Sequence, residues 1–241
     1  MVIKAVVFDA FDTLFVNTRD LWRDCFVRIC RDQGLAIDPS ALYDAWAVAE
    51  MDFRKRRNDV DTMTAREPFE TYYEVWQDAF IQSFGNLEVD GDADAAVGYF
   101  LEDLGTRDAF PETFGALERL GELVPIAILS NADDAFLYPV IERNGLSDAF
   151  ATVLSSEEAR LYKPHPGIFA QMLERLGTPA AETLMVGDTL LDDIYGARVA
   201  GMPGAWINRY GAPMDGRVAP DYEIRSLEDL LPIVAGKPVG G

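Results

Sequence analysis

The stretch "VVFDAFDTLF", residues 6–15, begins as a buried strand and ends in carboxylates. Val6, Val7 and Phe8 form a continuous apolar run, the pattern of a strand covered on both faces. Asp9 follows at once and Asp12 three positions later, with Phe11 between them. An apolar run that stops at an acid places that acid at the carboxyl edge of a sheet, where open α/β folds bind ligands. The same texture recurs in "VPIAIL" (124–129), "FATVL" (150–154), "TLMVG" (183–187) and "GAWIN" (204–208). Helical patterns lie between them: "PETFGALERLG" (111–121), "DDAFLYPVIERNG" (133–145), "PGIFAQMLERLG" (166–177) and "LDDIYGARVAG" (191–201). Repeated strand–helix units with short connections predict an α/β fold with a doubly wound parallel sheet.

Residues 16–100 read differently. "TRDLWRDCFVRICRDQG", "PSALYDAWAVAEMDFRKRR" and "EPFETYYEVWQDAFIQSFG" are amphipathic and show no clear strand, so a helical module is expected between the first strand and the rest of the sheet. The expected division is a core of residues 1–15 and 101–235, a helical insertion of residues 16–100 and a flexible tail of residues 236–241. "NLEVDGDADAAVG" (86–98) reads as a polar return connection. Its Asp90, Asp92 and Asp94 imitate the opening of a calcium loop, but Ala95 and Leu101 stand where such a loop needs glycine and a bidentate glutamate. "RKRR" at Arg54–Arg57 reads as a solvated helix face, and Trp46, Phe53, Tyr72, Tyr73 and Trp76 as packing within the module.

The 241 residues carry a formal net charge of −20, which argues against nucleic acid as a partner. A site for an anion on such a chain needs a metal ion, a lysine or backbone N–H groups to reverse the local field. Cys25 and Cys30, five residues apart, lie roughly 140° apart around a helix. They are expected as buried free thiols in a reducing compartment, the cytoplasm. No apolar run approaches the ~18 residues of a membrane span, and no signal peptide is expected at the N-terminus. His165, the single histidine, follows Lys163–Pro164 in a turn and reads as structural or as a substrate contact.

Polar residues collect at four strand ends: Asp9, Asp12 and Thr13 after the first, Ser130 and Asn131 after the second, Lys163 shortly after the third, and Asp188, Asp192 and Asp193 after the fourth. Clustered carboxylates repel unless a cation holds them, and oxygen ligands suit Mg²⁺. A metal, a lysine and a nucleophilic carboxylate together suit attack on a phosphoryl group.

The ordered set "FDxxxTL" (8–14), "LSN" (129–131), "KPHPGIF" (163–169) and "VGDTLLDDIYGARVAGM" (186–202) resembles the haloacid dehalogenase superfamily of hydrolases, with a Rossmann-like core and a helical cap of the first type. The resemblance implies that Asp9 is the nucleophile and that Thr13 and Ser130 hydrogen-bond the transferring group. It implies that Lys163 orients Asp9 and neutralises developing charge. Mg²⁺ is expected on Asp9, Asp188 and the carbonyl of Phe11, with Asp193 orienting a metal-bound water and Asp192 its alternate. Asn131 is expected to position substrate or a loop, and Phe11 to border the substrate.

Phe11 departs from the phosphatase pattern, which has there the Asp that protonates the leaving group; Asp12 falls on the neighbouring position and does not replace it. Dehalogenases of the family, which need no metal, carry an aromatic residue at that point. Against that reading, Ala47 stands where they have an arginine after a cap tryptophan. Asp188 and Leu190 replace their Ser and Asn, and Phe169 replaces their Tyr. The expected activity is Mg²⁺-dependent hydrolysis of a small, anionic phosphate ester or anhydride through an aspartyl-phosphate. The alternatives are 2-haloacid dehalogenation through an ester of Asp9, and a degenerate member that binds a ligand or partner without turnover. No membrane association is expected, and oligomeric state is not legible.

Overall fold

A computed structural model of the protein describes residues 2–59, 61–214 and 218–236, so the expected tail lies outside the described residues from 237 onward. Strand β1 (Ala5–Phe8) is followed by four helices, α1 (Arg19–Asp32), α2 (Pro39–Arg56), α3 (Tyr72–Asn86) and α4 (Ala93–Gly105). A short antiparallel ribbon, β2 (Asn58–Asp59) and β3 (Thr64–Ala65), separates α2 from α3. Then come α5 (Thr113–Gly121), β4 (Ile126–Ser130), α6 (Asp134–Arg143), β5 (Thr152–Ser155), the single turn α7 (Ser156–Ala159), and α8 (Pro166–Leu176). The chain ends through β6 (Thr183–Gly187), α9 (Gly196–Val199), β7 (Gly204–Ile207), β8 (Tyr222–Ile224) and α10 (Leu230–Val234).

Six strands form one parallel sheet in the order β5-β4-β1-β6-β7-β8. The quoted stretch is its centre, with Val7 paired to Ala127 on one side and Met185 on the other. Successive side chains of a strand point to opposite faces. Val6 and Phe8 therefore join Ile126, Ile128, Leu184 and Val186 in one core, which includes residues of α5, α6 and α10. Val7, Ala127, Leu129 and Met185 join Ile168, Phe169 and Met172 of α8 in the other. Both faces are dry, which is why the strands read as unbroken apolar runs; each large side chain so buried is worth about 1.5–3 kcal/mol.

From β1 the chain steps outward through β4 and β5, then crosses back to β6 and outward through β7 and β8. Strand order thus reverses at β1, and a crevice opens beyond the carboxyl ends of β1, β4 and β6. Helices α1–α4 pack on one another around Trp22, Trp46 and Phe100, whose ring centroids lie 5.1–5.5 Å apart. Helix α4 also packs on α6 of the core. Among the described residues no helix is long and apolar enough to cross a membrane.

Four local readings of the sequence are corrected. The stretch 86–98 is not a connection throughout: Asp92 Oδ1 accepts the Ala95 N–H at 3.0 Å and starts α4, which runs past the expected boundary at residue 101. Asp92 is therefore an N-cap. The ribbon β2–β3 interrupts a region expected to be all helical. The helix expected over 191–201 is a single π-helical turn, Leu190–Tyr195, leading into α9. The basic run is only partly solvated: Lys55 and Arg56 are exposed, whereas Arg57 is buried against the core.

Candidate active site

Asp9 leaves β1 and turns its carboxylate into the crevice, its own N–H held by the Val186 carbonyl at 2.8 Å. The tight turn that follows needs a left-handed residue at position 12, and Asp12 adopts φ 62°. Short polar residues tolerate that conformation because the side chain can bond locally. Asp12 Oδ1 accepts the Asn17 N–H at 3.1 Å, so its carboxylate closes the loop. Burial raises its pKa against the opposing effect of that hydrogen bond. Arg209 pins the same loop from outside: it donates to the Thr13 carbonyl at 2.7 Å and to the Asp12 carbonyl, and pairs with Glu112.

Lys163, fully buried between α7 and α8, reaches back under the sheet edge. Its Nζ donates to Asp9 Oδ1 at 2.7 Å, Asp193 Oδ1 at 2.6 Å and the Leu129 carbonyl at 2.8 Å, which uses all three of its N–H bonds. Burial works against the ammonium, but Asp193 and Asp9 together outweigh it and hold its pKa above the ordinary lysine value. Ser130 Oγ, at the end of β4, donates to Asp9 Oδ1 at 3.3 Å. Oδ1 is thereby held, and Asp9 Oδ2 has no hydrogen-bond partner among the described residues. The Thr13 hydroxyl is buried without a partner.

The π-helical turn explains Asp193. The Thr189 carbonyl accepts from both Asp193 N (3.0 Å) and Ile194 N (3.4 Å), which widens the turn and throws the Asp193 carboxylate back over β6. It lands on Gly187, where an added Cβ would sit 2.2 Å from its Cγ, so that strand end admits only glycine. Burial lifts the Asp193 pKa to about 7 despite Lys163. Asp188, one residue past β6, has its pKa raised well above the usual carboxylate range by burial, then by Asp9 and Asp193. Ligand oxygens of Asp9, Asp188 and Asp193 lie within 4.8 Å of one another, a donor set that fits a hard divalent cation.

Asp192 is not in this cluster. It pairs with Arg57 of the helical module, and Asn131 Nδ2 lies 3.4 Å from its Oδ2. Asn131 borders the cavity but spends its amide on the lysine loop, accepting Lys163 N at 2.8 Å and donating to Lys163 O at 3.1 Å. Arg57 also donates to Tyr72 Oη at 2.8 Å, and Asn58 donates to the Lys163 carbonyl at 3.3 Å. The module is thus tied directly to the loop that presents Lys163. Asp133 ties it a second time, accepting Tyr72 N at 3.0 Å and Tyr73 N at 2.8 Å at the start of α3. Burial raises its pKa to about 6. His165 is an N-cap, its Nδ1 accepting from Gly167 N at 3.1 Å.

Over these groups lies a cavity of about 130 Å³. Asp9, Ser130, Lys163, Asp188 and Asp193 form its polar end. Phe11, Phe136, Trp22, Tyr72 and Trp76 form an aromatic wall, so two residues read as module packing, Tyr72 and Trp76, border the site. The Phe11 ring lies 5.6 Å from Phe136 and 6.3 Å from Phe15. The sequence reading missed Trp22, Arg54, Arg57 and Asp133; only the tight basic run hinted at two of them.

A sequence model of the haloacid dehalogenase-like hydrolases matches residues 3–201. Haloacetate dehalogenase H-2 of Moraxella sp. (strain B) is 27% identical over 239 residues, covering 97% of this chain and 98% of its own. The pyrimidine 5'-nucleotidase YjjG of Escherichia coli (strain K12) is 37% identical over 106 residues, 44% of this chain and 47% of its own. The crystal structure of the L-2-haloacid dehalogenase RSc1362 superposes with a TM-score of 0.76 at 29% identity, over 98% of this chain and 100% of that one.

Proposed function

This chain belongs to the haloacid dehalogenase-like hydrolases, and from that premise we propose that it hydrolyses a small phosphate ester or anhydride with the help of Mg²⁺. Charge carries the reading. Three carboxylates meet within 4.8 Å and the single cation among them, Lys163, is shared by two. Asp188 faces this cluster with no cationic partner among the described residues. A bare third carboxylate is costly, and a divalent ion removes the cost. Asp9, Asp188, Asp193 and the Phe11 carbonyl would hold Mg²⁺, which when bound neutralises phosphoryl oxygens and favours their displacement.

The chain's own groups account for the rest. Lys163 and Ser130 fix Asp9 Oδ1, which leaves Oδ2 to attack phosphorus. The bond from phosphorus to the leaving oxygen breaks as the bond from Asp9 Oδ2 to phosphorus forms, and the Ser130 hydroxyl would turn from Asp9 Oδ1 to donate to the transferred group. Thr13, wholly buried and not among the cavity-lining residues, would have to reorient to join it. Water then cleaves the acyl phosphate, restoring Asp9 and releasing phosphate. No acid stands at position 11, so the leaving oxygen departs without a proton from that side. Cys25 and Cys30, both buried and unpaired, support a cytoplasmic setting.

Dehalogenation is the second reading, favoured by the Phe11 ring on the cavity wall and by full-length similarity to a haloacetate dehalogenase. There Asp9 would displace halide from carbon and water would cleave the ester. A panel of phosphate esters and 2-haloacids, assayed with Mg²⁺ and with EDTA, separates the two. Phosphate release that EDTA abolishes is expected, and halide release that survives EDTA would overturn the proposal.

A further inference from the structure

Two cations border the cavity among the described residues, Lys163 and Arg54, and they are differently employed. All three Lys163 donors are taken by protein acceptors. Arg54, in the last turn of α2, gives only its Nε, to Glu50 one turn earlier on the same helix. Glu50 is 8% exposed, so the guanidinium is held from behind by a buried carboxylate. Both Arg54 Nη groups have no hydrogen-bond partner among the described residues, and half of the side-chain surface is accessible. The neighbouring carboxylate fixes the fork without consuming it.

Trp76, another residue of the cavity wall, carries a second unspent donor. The indole N–H of Trp76 is buried without an acceptor. A buried donor left unpaired is unfavourable, and an acceptor brought by a ligand relieves it. Arg54 and Trp22 also border an outer groove that contains Arg19 and Arg23 together with Asp44 and Glu50. Asp9, the aromatic rings and Arg54 thus line one small chamber.

We infer that Arg54, with the Trp76 N–H, forms a second anion subsite that selects substrates whose leaving group carries a carboxylate on a short apolar body. The inference rests on the phosphoryl group binding at Asp9, as proposed above. A planar carboxylate matches the paired Nη fork, and the aromatic wall suits the apolar part between the two charges.

Two matched pairs of compounds test it. The first is 4-(carboxymethyl)phenyl phosphate against 4-ethylphenyl phosphate, whose phenols leave about equally well, read as the ratio of kcat/KM. The second is 3-phosphonopropionate against propylphosphonate, neither of which can be hydrolysed, read as the ratio of binding constants by calorimetry with Mg²⁺ present. Wild type should prefer the carboxylate member of each pair by ~10- to 100-fold, the range of a charge-assisted hydrogen bond. Arg54→Ala and Arg54→Gln should bring both ratios near one, Arg54→Lys should keep part of the preference, and Trp76→Phe should lower it by less. Wild-type ratios near one, or a preference that persists without Arg54, would overturn the inference. Absence of phosphate release from every ester would instead overturn the phosphatase reading, while the phosphonate pair still tests Arg54.

Discussion

Replacing Lys163 by Met keeps an unbranched chain of similar length and removes one charge. In the native protein Nζ sits 2.7 Å from Asp9, 2.6 Å from Asp193 and 2.8 Å from the Leu129 carbonyl, at 1% exposure. Breaking a buried ion pair by deleting one partner costs about 3–5 kcal/mol, because the surviving charge stays buried without compensation. The protein can lessen this cost by protonating a carboxylate, and Asp193, already lifted to about 7, is placed to take the proton. In wild type Asp193 gives up its proton as pH rises through 7; without Lys163 it keeps it, while the unfolded chain is ionised in both proteins. The native variant then binds one proton more than its unfolded form, and its stability falls by up to ~1.4 kcal/mol per pH unit above about pH 7. Urea unfolding in EDTA at pH 6.5, 7.5 and 8.5 measures both effects. The expected gap between the proteins is about 3–5 kcal/mol near pH 7.5, widening toward 8.5. A gap below ~1 kcal/mol, or one that does not change with pH, would refute the assignment of Lys163 as the charge partner of this cluster.

Mg²⁺ at 100 times its Kd should stabilise wild type by about 2.7 kcal/mol, read as a rise in Tm of roughly 5–10 °C, and should barely move Asp188→Ala; equal shifts place the ion elsewhere. Asp133 holds its proton more tightly when folded, so its contribution to stability is complete below pH ~4 and lost as pH rises through about 6. Relative to Asp133→Asn, wild type should therefore lose up to ~3 kcal/mol between pH 4 and 6.5 in urea unfolding, and a constant difference would contradict the burial of that carboxyl. Phe11→Asp should raise turnover of alkyl phosphates by up to ~10²-fold and that of aryl phosphates far less, so parallel leaving-group slopes for the two proteins would dismiss the missing-acid account.

The core was legible because burial on both faces writes itself as unbroken apolar runs, and a residue that ends such a run must lie at the sheet edge. That logic located Asp9, Ser130 and Asp188 without knowledge of any contact. It failed where an element is short or its geometry unusual. β8 spans only Tyr222–Ile224 at the edge of the sheet, too few residues to show a period. The turn over 190–195 has helical spacing in sequence, yet its extra residue per turn is what carries Asp193 onto Gly187. The start of α4 was hidden by acids and a glycine, which serve equally as loop residues and as an N-cap. The module's contribution was hidden for another reason. Which of Arg54, Lys55, Arg56 and Arg57 meets the core depends on how α2 is set against the sheet, and periodicity within one helix does not contain that.

The mixture of a dehalogenase-like first motif and a phosphatase-like fourth has a physical resolution in this geometry. The proposed cation site would draw on Asp9, Asp188 and Asp193, and from position 11 it would ask only for a backbone carbonyl. Any side chain at 11 leaves that carbonyl in place, so an aromatic ring removes a proton donor without removing a ligand. The ring is then free to serve the other boundary of the chamber. It packs on Phe136, which stacks on Trp76 at 5.6 Å and meets Tyr72 at 6.3 Å, so position 11 continues the aromatic wall of the helical module down to the nucleophile. Asp188 has no comparable freedom. Half-buried beside Asp9, it is favoured as a cation ligand or as a neutral acid, and its raised pKa reports how burial and the neighbouring carboxylates disfavour a bare charge there. A ring at position 11 is compatible with both reactions, so the first motif does not choose between them; under the proposed reading the choice rests on Asp188, whose charge a divalent cation would offset.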